Sequence, residues 1–136
     1  MYAADKHGVD AGALCGLPDT GVKATRNIED ILALDADIVL HCARLELTSE
    51  NSDAEVMALL RSGKNVLSLR GYQAPWLHGA AYLAKFEAAC TEGNATLFGT
   101  GVEPGFLYDR LAPALSGLCL ELDEIRLDQW FDLRSR

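Results

Sequence analysis

A chain of 136 residues that is 49% hydrophobic and 24% charged has the composition of a globular domain with a core of its own. Its formal net charge of −8 excludes a nucleic-acid partner, which calls for a basic face against the phosphates. No apolar run approaches the roughly 20 residues needed to span a bilayer, and the amino end has no basic-then-apolar leader, so a cytoplasmic protein is expected.

In chain order, Met1-Tyr2-Ala3-Ala4 reads as the end of an apolar strand and Asp5-Lys6-His7-Gly8 as the polar turn after it. Asn27 is placed to cap a helix over Ile28–Leu34, with Glu29 and Asp30 in its first turn where the helix dipole favours acids. Asp37–Cys42 is a short apolar run predicted as a strand buried on both faces. Ser49 to Ser62 sets Val56, Leu59 and Leu60 on one helical face and stops at Gly63. A second strand is predicted at Asn65–Leu69, then turns through Pro75, a helix from about Leu77 to Glu92 and a third strand at Ala95–Phe98. Leu120 to Leu133 alternates as in a half-exposed antiparallel strand, including Trp130 and Phe131.

Strands alternating with helices of this length mean βαβ units and a parallel sheet, so the fold class is α/β. In such sheets ligands bind outside the carboxyl ends of the strands, which predicts that residues 41–44, 69–72 and 99–103 converge on one rim. Parallel units and a lone alternating strand both need neighbours. The expectation is therefore an internal portion of a larger protein, truncated at both ends. Cys15, Cys42, Cys90 and Cys119 are widely spaced in apolar contexts and are expected as small buried hydrophobes, with no metal site signalled. His41 is expected to be structural, with lining of a cleft as the alternative.

The most specific segment is Leu97-Phe98-Gly99-Thr100-Gly101-Val102-Glu103-Pro104-Gly105-Phe106, an apolar strand running into a Gly-Thr-Gly turn with Pro104 opening a helix. Pro104 stands where a dinucleotide fingerprint wants its third glycine, and the segment lies far from a first βα turn, so it is a poor phosphate cradle. Glu103 has two readings: an acid that binds an ammonium or iminium and shuttles a proton, or a carboxylate that complements a helix dipole. Tyr72, Trp76, Tyr108 and Asp109 are second-rank candidates near the same rim.

On Ala4-Asp5-Lys6, Asp10-Ala11-Gly12, Leu14-Cys15-Gly16, Gly63-Lys64-Asn65-Val66 and above all Gly99 to Phe106, the chain resembles NAD(P)-dependent amine dehydrogenases related to 2,4-diaminopentanoate dehydrogenase, themselves similar to dihydrodipicolinate reductase. The resemblance implies a Rossmann-like parallel sheet over residues 1–104 that lacks its first strand and glycine-rich turn. Residues 105–136 would then begin an α+β catalytic and dimerisation domain. It implies NAD(P) as cofactor, a small amine or ketone as substrate and a homodimer in the full-length form. Ala4, Asp5 and Lys6 would lie at the adenosine ribose, with Asp5 suited to NAD and Lys6 to NADP. Cys42, Ala43 and Arg44 would border the cofactor, Leu69 and Arg70 would lie near the nicotinamide, and Thr100 and Gly101 would complete that rim, with Glu103 as the catalytic acid.

Two departures from the pattern stand out. Related amine dehydrogenases carry an acid just after the Gly-Lys-Asn-Val strand, where this chain has Arg70-Gly71-Tyr72, and the diaminopentanoate enzymes have Asn where Glu103 stands. The alternatives are a dihydrodipicolinate reductase-like enzyme, whose paired histidines are missing here, and a non-catalytic module that associates through its sheet edge.

Overall fold

The computed structural model describes residues 4–43, 50–130 and 132. Three parallel strands, β1 (Ile38–His41), β2 (Asn65–Ser68) and β3 (Leu97–Gly99), lie side by side in chain order. Val39 pairs with Val66 and Val66 with Leu97, while His41 pairs with Ser68 and Ser68 with Gly99. Parallel neighbours need a crossover. The helix α3 (Glu50–Arg61) supplies the first and α4 (Ala80–Gly93) the second, α4 being preceded by a 3₁₀ turn at Pro75–His78. Before the sheet come two short helices, α1 (Ala11–Leu14) and α2 (Ile28–Leu32), capped by Asp10 and Asn27. Asp10 Oδ1 accepts from the main-chain N–H of Gly12 and Thr20, which holds its carboxyl below the usual carboxylate range.

One face of the sheet carries the core. Val56, Leu59 and Leu60 of α3 and Phe86 and Ala89 of α4 bury Val66 against Ile31, Tyr72 and Ala95. The helices themselves cross closely, since a Cβ on Gly93 would run into the Leu60 main chain. Lys64 is buried just ahead of β2 and reaches back, its Nζ donating to the Leu32 carbonyl at 2.8 Å and so tying the end of α2 to the start of the strand.

The opposite face is open. Ile38 is 54%, Leu40 67% and Phe98 52% exposed, so the expectation of strands buried on both faces fails: α3 and α4 both pack on the same side. The cysteine expectation fails as well, because Cys15, Cys42 and Cys119 are exposed on turns and loops and Cys90 is half-buried. No strand forms over the described part of 120–133, and Trp130 is 94% exposed. An alternating sequence cannot hold a strand without a partner for its main-chain groups. Phe131, Leu133 and Met1 to Ala3 lie outside the described residues, and Ala4–Lys6 forms a 3₁₀ turn. Among the described residues no helix is long and apolar enough to cross a membrane.

Candidate functional site

Past their last residues the strands hand over to loops that are bonded to one another. Leu69 N–H donates to the His41 carbonyl at 3.0 Å, and Thr100 N–H to the Ser68 carbonyl at 2.8 Å. The side chain of Gln73 adds a third tie, its Nε2 donating to the Thr100 carbonyl at 2.8 Å. The loops after β2 and β3 therefore converge on one rim with the end of β1, as the topology predicts.

Glycine makes this closure possible. A Cβ on Gly99 would fall 2.6 Å from the Tyr72 carbonyl oxygen and closer still to the Gln73 nitrogen, so two main chains touch where any other residue would hold them apart. Gly101 follows with φ of 121°, a conformation that L side chains rarely adopt. From there Val102–Leu111 winds as a wide π-type helix leading into α5 (Ala112–Ser116). Phe106 N–H closes that helix onto the Gly101 carbonyl at 2.8 Å. Glu103 interrupts it with extended backbone, φ −134° and ψ 121°. The regular helix start expected at Pro104 is thus replaced by a bulged turn around the carboxylate, a shape often found at functional sites. Glu103 Oε2 is shielded from solvent and has no hydrogen-bond partner among the described residues.

Beneath the rim runs a polar network. His41 is only 8% exposed, and its Nδ1 lies 2.8 Å from Ser68 Oγ, which also accepts the Arg70 main-chain N–H at 3.1 Å. Burial, with the Arg70 charge nearby, pushes the imidazole below its ordinary value and keeps it neutral. Tyr72 donates to Asp53 Oδ1 at 2.7 Å, and Tyr82 donates to the same oxygen at 3.2 Å. Burial first, and the Asp53 carboxylate with it, raises both phenols, Tyr82 to about 12, so both remain protonated donors. The Tyr72 ring meets Phe86 edge-on at 5.4 Å, and the Tyr82 ring lies tilted against it at 5.1 Å.

The residues singled out from the sequence are distributed as follows. Cys42 and Ala43 stand exposed just past β1, and Arg44 lies outside the described residues. Leu69 is exposed and Arg70 buried at the end of β2, while Thr100, Gly101 and Glu103 form the turn after β3. Ala4–Lys6 sits apart in sequence, leading into the segment held by Gly8 N–H on the Ala24 carbonyl; Lys6 Nζ lies 3.7 Å from Asp5 Oδ2. That pairing sets opposite charges against each other at the position read for the ribose. Asp53, Ser68 and Gln73 were not singled out. Asp53 sits in the first turn of α3, nineteen residues from Tyr72, so no local pattern announces the pair.

A cavity of about 330 Å³ lies along β3 between α4 and the helix after Gly101. Leu83, Phe86 and Leu97 give it an apolar wall, and Tyr72, Gln73 and Gly99 link it to the rim. No protein-family model matches the chain. Over 130 residues, 93% of its length, it is 36% identical to an amine dehydrogenase of Streptomyces virginiae. The chain is similar to part of an amine dehydrogenase. It spans 36% of the length of that relative. The fold agrees: an amine dehydrogenase structure from Mycobacterium smegmatis superposes over 89% of this chain and 36% of its own, with a TM-score of 0.74 at 23% identity. Like the sequence comparison, this superposition takes in about a third of the larger amine dehydrogenase chain.

Proposed function

We propose that this chain is part of an NAD(P)-dependent oxidoreductase of the amine dehydrogenase type, in which Glu103 binds the nitrogen of an amine or imine and relays its proton. The observation that carries this reading is the shielded Glu103 oxygen, unpartnered among the described residues, on a turn that two glycines lock against the strand ends. A buried acceptor with no partner calls for a donor, and an ammonium or iminium N–H is one.

The rim suits a nicotinamide. Leu69 and Val102 expose apolar side chains beside the Gly99–Glu103 turn, a surface on which a planar ring can lie. Leu69, Thr100 and Gly101 would hold the ring, and Asp5 and Lys6 the adenosine ribose. The cofactor supplies hydride acceptance from the amine carbon. The chain's own work is to orient the nitrogen, keep water from it and take its proton at a Glu103 carboxylate oxygen. In this reading residues 1–104 belong to the cofactor-binding domain and residues 105–136 begin the catalytic and dimerisation domain of a homodimer.

The test is a titration of NADH and NADPH followed by nicotinamide fluorescence, with turnover of a panel of primary amines followed by NAD(P)H absorbance. Glu103→Gln is expected to bind cofactor as the parent does and to lose about 100-fold or more in turnover, the usual size of a general acid–base contribution. Binding of neither nucleotide overturns the proposal. The open sheet face of Ile38, Leu40 and Phe98 favours a second reading, an interaction module, which predicts concentration-dependent association without nucleotide binding.

A further inference from the structure

Asp53 stands outside the rim, in the first turn of α3, yet two hydroxyls from different elements end on one of its oxygens: Tyr72 from the loop after β2 at 2.7 Å and Tyr82 from α4 at 3.2 Å. A carboxylate only accepts, so it has no donor to turn toward either phenol, and hydrogen bonds to a charged acceptor are the stronger kind. From Tyr72 the line of contacts runs on to the rim without a gap. The Tyr72 carbonyl is the group against which Gly99 closes, and the next residue, Gln73, donates to the Thr100 carbonyl at 2.8 Å. On the far side of Glu103 the turn is pinned again: a Cβ on Gly105 would fall 2.9 Å from the Thr100 carbonyl carbon, and Phe106 N–H reaches the Gly101 carbonyl at 2.8 Å. Glu103 hangs between two points that are fixed to each other at Thr100, and Thr100 rests on Gln73.

We propose that Asp53 is a positioning residue for Glu103: by holding Tyr72 from α3 it fixes the 70–73 loop, and through Gln73 and Gly99 that loop sets where the Glu103 carboxylate stands. The proposal rests on the reading of Glu103 as the acid that relays the proton, and Asp53 acts through Tyr72 rather than on the substrate. A displacement of about 1 Å in a reacting group can cost about 100-fold in rate, so a tether of this kind weighs more on turnover than on the fold. Tyr82 shares the oxygen from the α4 side and keeps the carboxylate facing Tyr72. The rival role for Asp53, complementing the α3 dipole from its first turn, needs the charge and not the bond to Tyr72.

Amide hydrogen exchange reads the turn without any ligand. Thr100 N–H, bonded to the Ser68 carbonyl, and Phe106 N–H report the Glu103 turn, while Val66 N–H, bonded to the Thr96 carbonyl at 2.8 Å within the sheet, reports the fold as a whole. Asp53→Ala should speed exchange at Thr100 and Phe106 by about tenfold relative to Val66, as the loss of one hydrogen bond implies. Tyr72→Phe cuts the same bond from its other end and should do the same; it carries the test alone if Asp53→Ala does not fold. The double variant should add less than about twofold to either single one, because both remove one interaction. Asp53→Asn loses the charge but keeps an acceptor oxygen, and should stay within about threefold of the parent. In turnover of the primary-amine panel, kcat of Asp53→Ala should fall about tenfold or more while Kd for NADH or NADPH stays within about twofold. Exchange that rises equally at all three amides, effects that add in the double variant, or Asn as harmful as Ala overturns the proposal. Selective loosening of the turn without nucleotide binding would uphold the tether and refute the oxidoreductase reading; nucleotide binding with full turnover by Asp53→Ala would do the reverse.

Discussion

Gly99→Ala tests whether the rim owes its closure to a missing side chain. The added methyl would start 2.6 Å from the Tyr72 carbonyl oxygen, with the Tyr72 carbonyl carbon and the Gln73 nitrogen nearer still. Ordinary carbon contacts lie at about 3.5–4.0 Å, so the 70–73 loop or β3 must shift by about 1 Å or more. The atoms in the way are main chain, which cannot swing aside as a side-chain tip does. Overpacking of this kind costs about 1–3 kcal/mol. Gly71→Ala is the matched control in the same loop, for there a Cβ would meet nothing within 4 Å and the backbone has no positive φ. It should be neutral or stabilise by up to about 1 kcal/mol through the unfolded chain. Urea and thermal unfolding of both variants gives the comparison, with about 3–5 °C of Tm per kcal/mol for a chain of this size. Near-UV circular dichroism reports whether Tyr72 has moved. If Gly99→Ala unfolds with its parent, or both alanines cost the same, close backbone approach is not what holds the rim.

Tyr72→Phe removes the shorter of the two bonds to Asp53 and should cost about 1–2 kcal/mol, with a double-mutant cycle against Tyr82→Phe showing coupling because both hydroxyls donate to one oxygen. His41 should make the fold sensitive to acid. Its folded value is depressed by burial, so between that value and 6.5 the unfolded chain binds the extra proton and stability rises with pH. The contribution is complete above 6.5 and is lost as pH falls through the folded value, with a slope of at most about 1.4 kcal/mol per pH unit. Tm of the parent should therefore drop below pH 6.5 more steeply than Tm of His41→Gln, and parallel profiles would refute this role.

The alternation of short apolar runs with helical patterns made the sheet legible: the runs at 37–42, 65–69 and 95–98 became β1, β2 and β3 of a parallel sheet, as expected. The helix over Val56, Leu59 and Leu60 was legible because its apolar spacing matches the face it buries. Which face of each strand is covered was not, since an apolar run such as Ile38–Leu40 reads the same whether one side or both are packed. The terminal alternation misled for a related reason: period two says what a strand would bury and nothing about whether a partner lies beside it. Pro104 and the glycines around it marked a turn, yet the extended Glu103 inside a π-type helix follows from tertiary closure onto Gly101. The Asp53, Tyr72 and Tyr82 cluster joins three distant segments, and Gln73 had no signal at all.

Lys64 has a consequence for how the folded chain meets reagents. Its ammonium is enclosed and spends its protons on the Leu32 carbonyl and the Ser62 hydroxyl, so an acylating reagent or trypsin finds no free amine there while Lys85, on an exposed turn of α4, reacts at once. The bond at Lys64 thus doubles as a built-in footprint of the native state: a mass shift at that one side chain marks the moment when α2 has come away from the sheet.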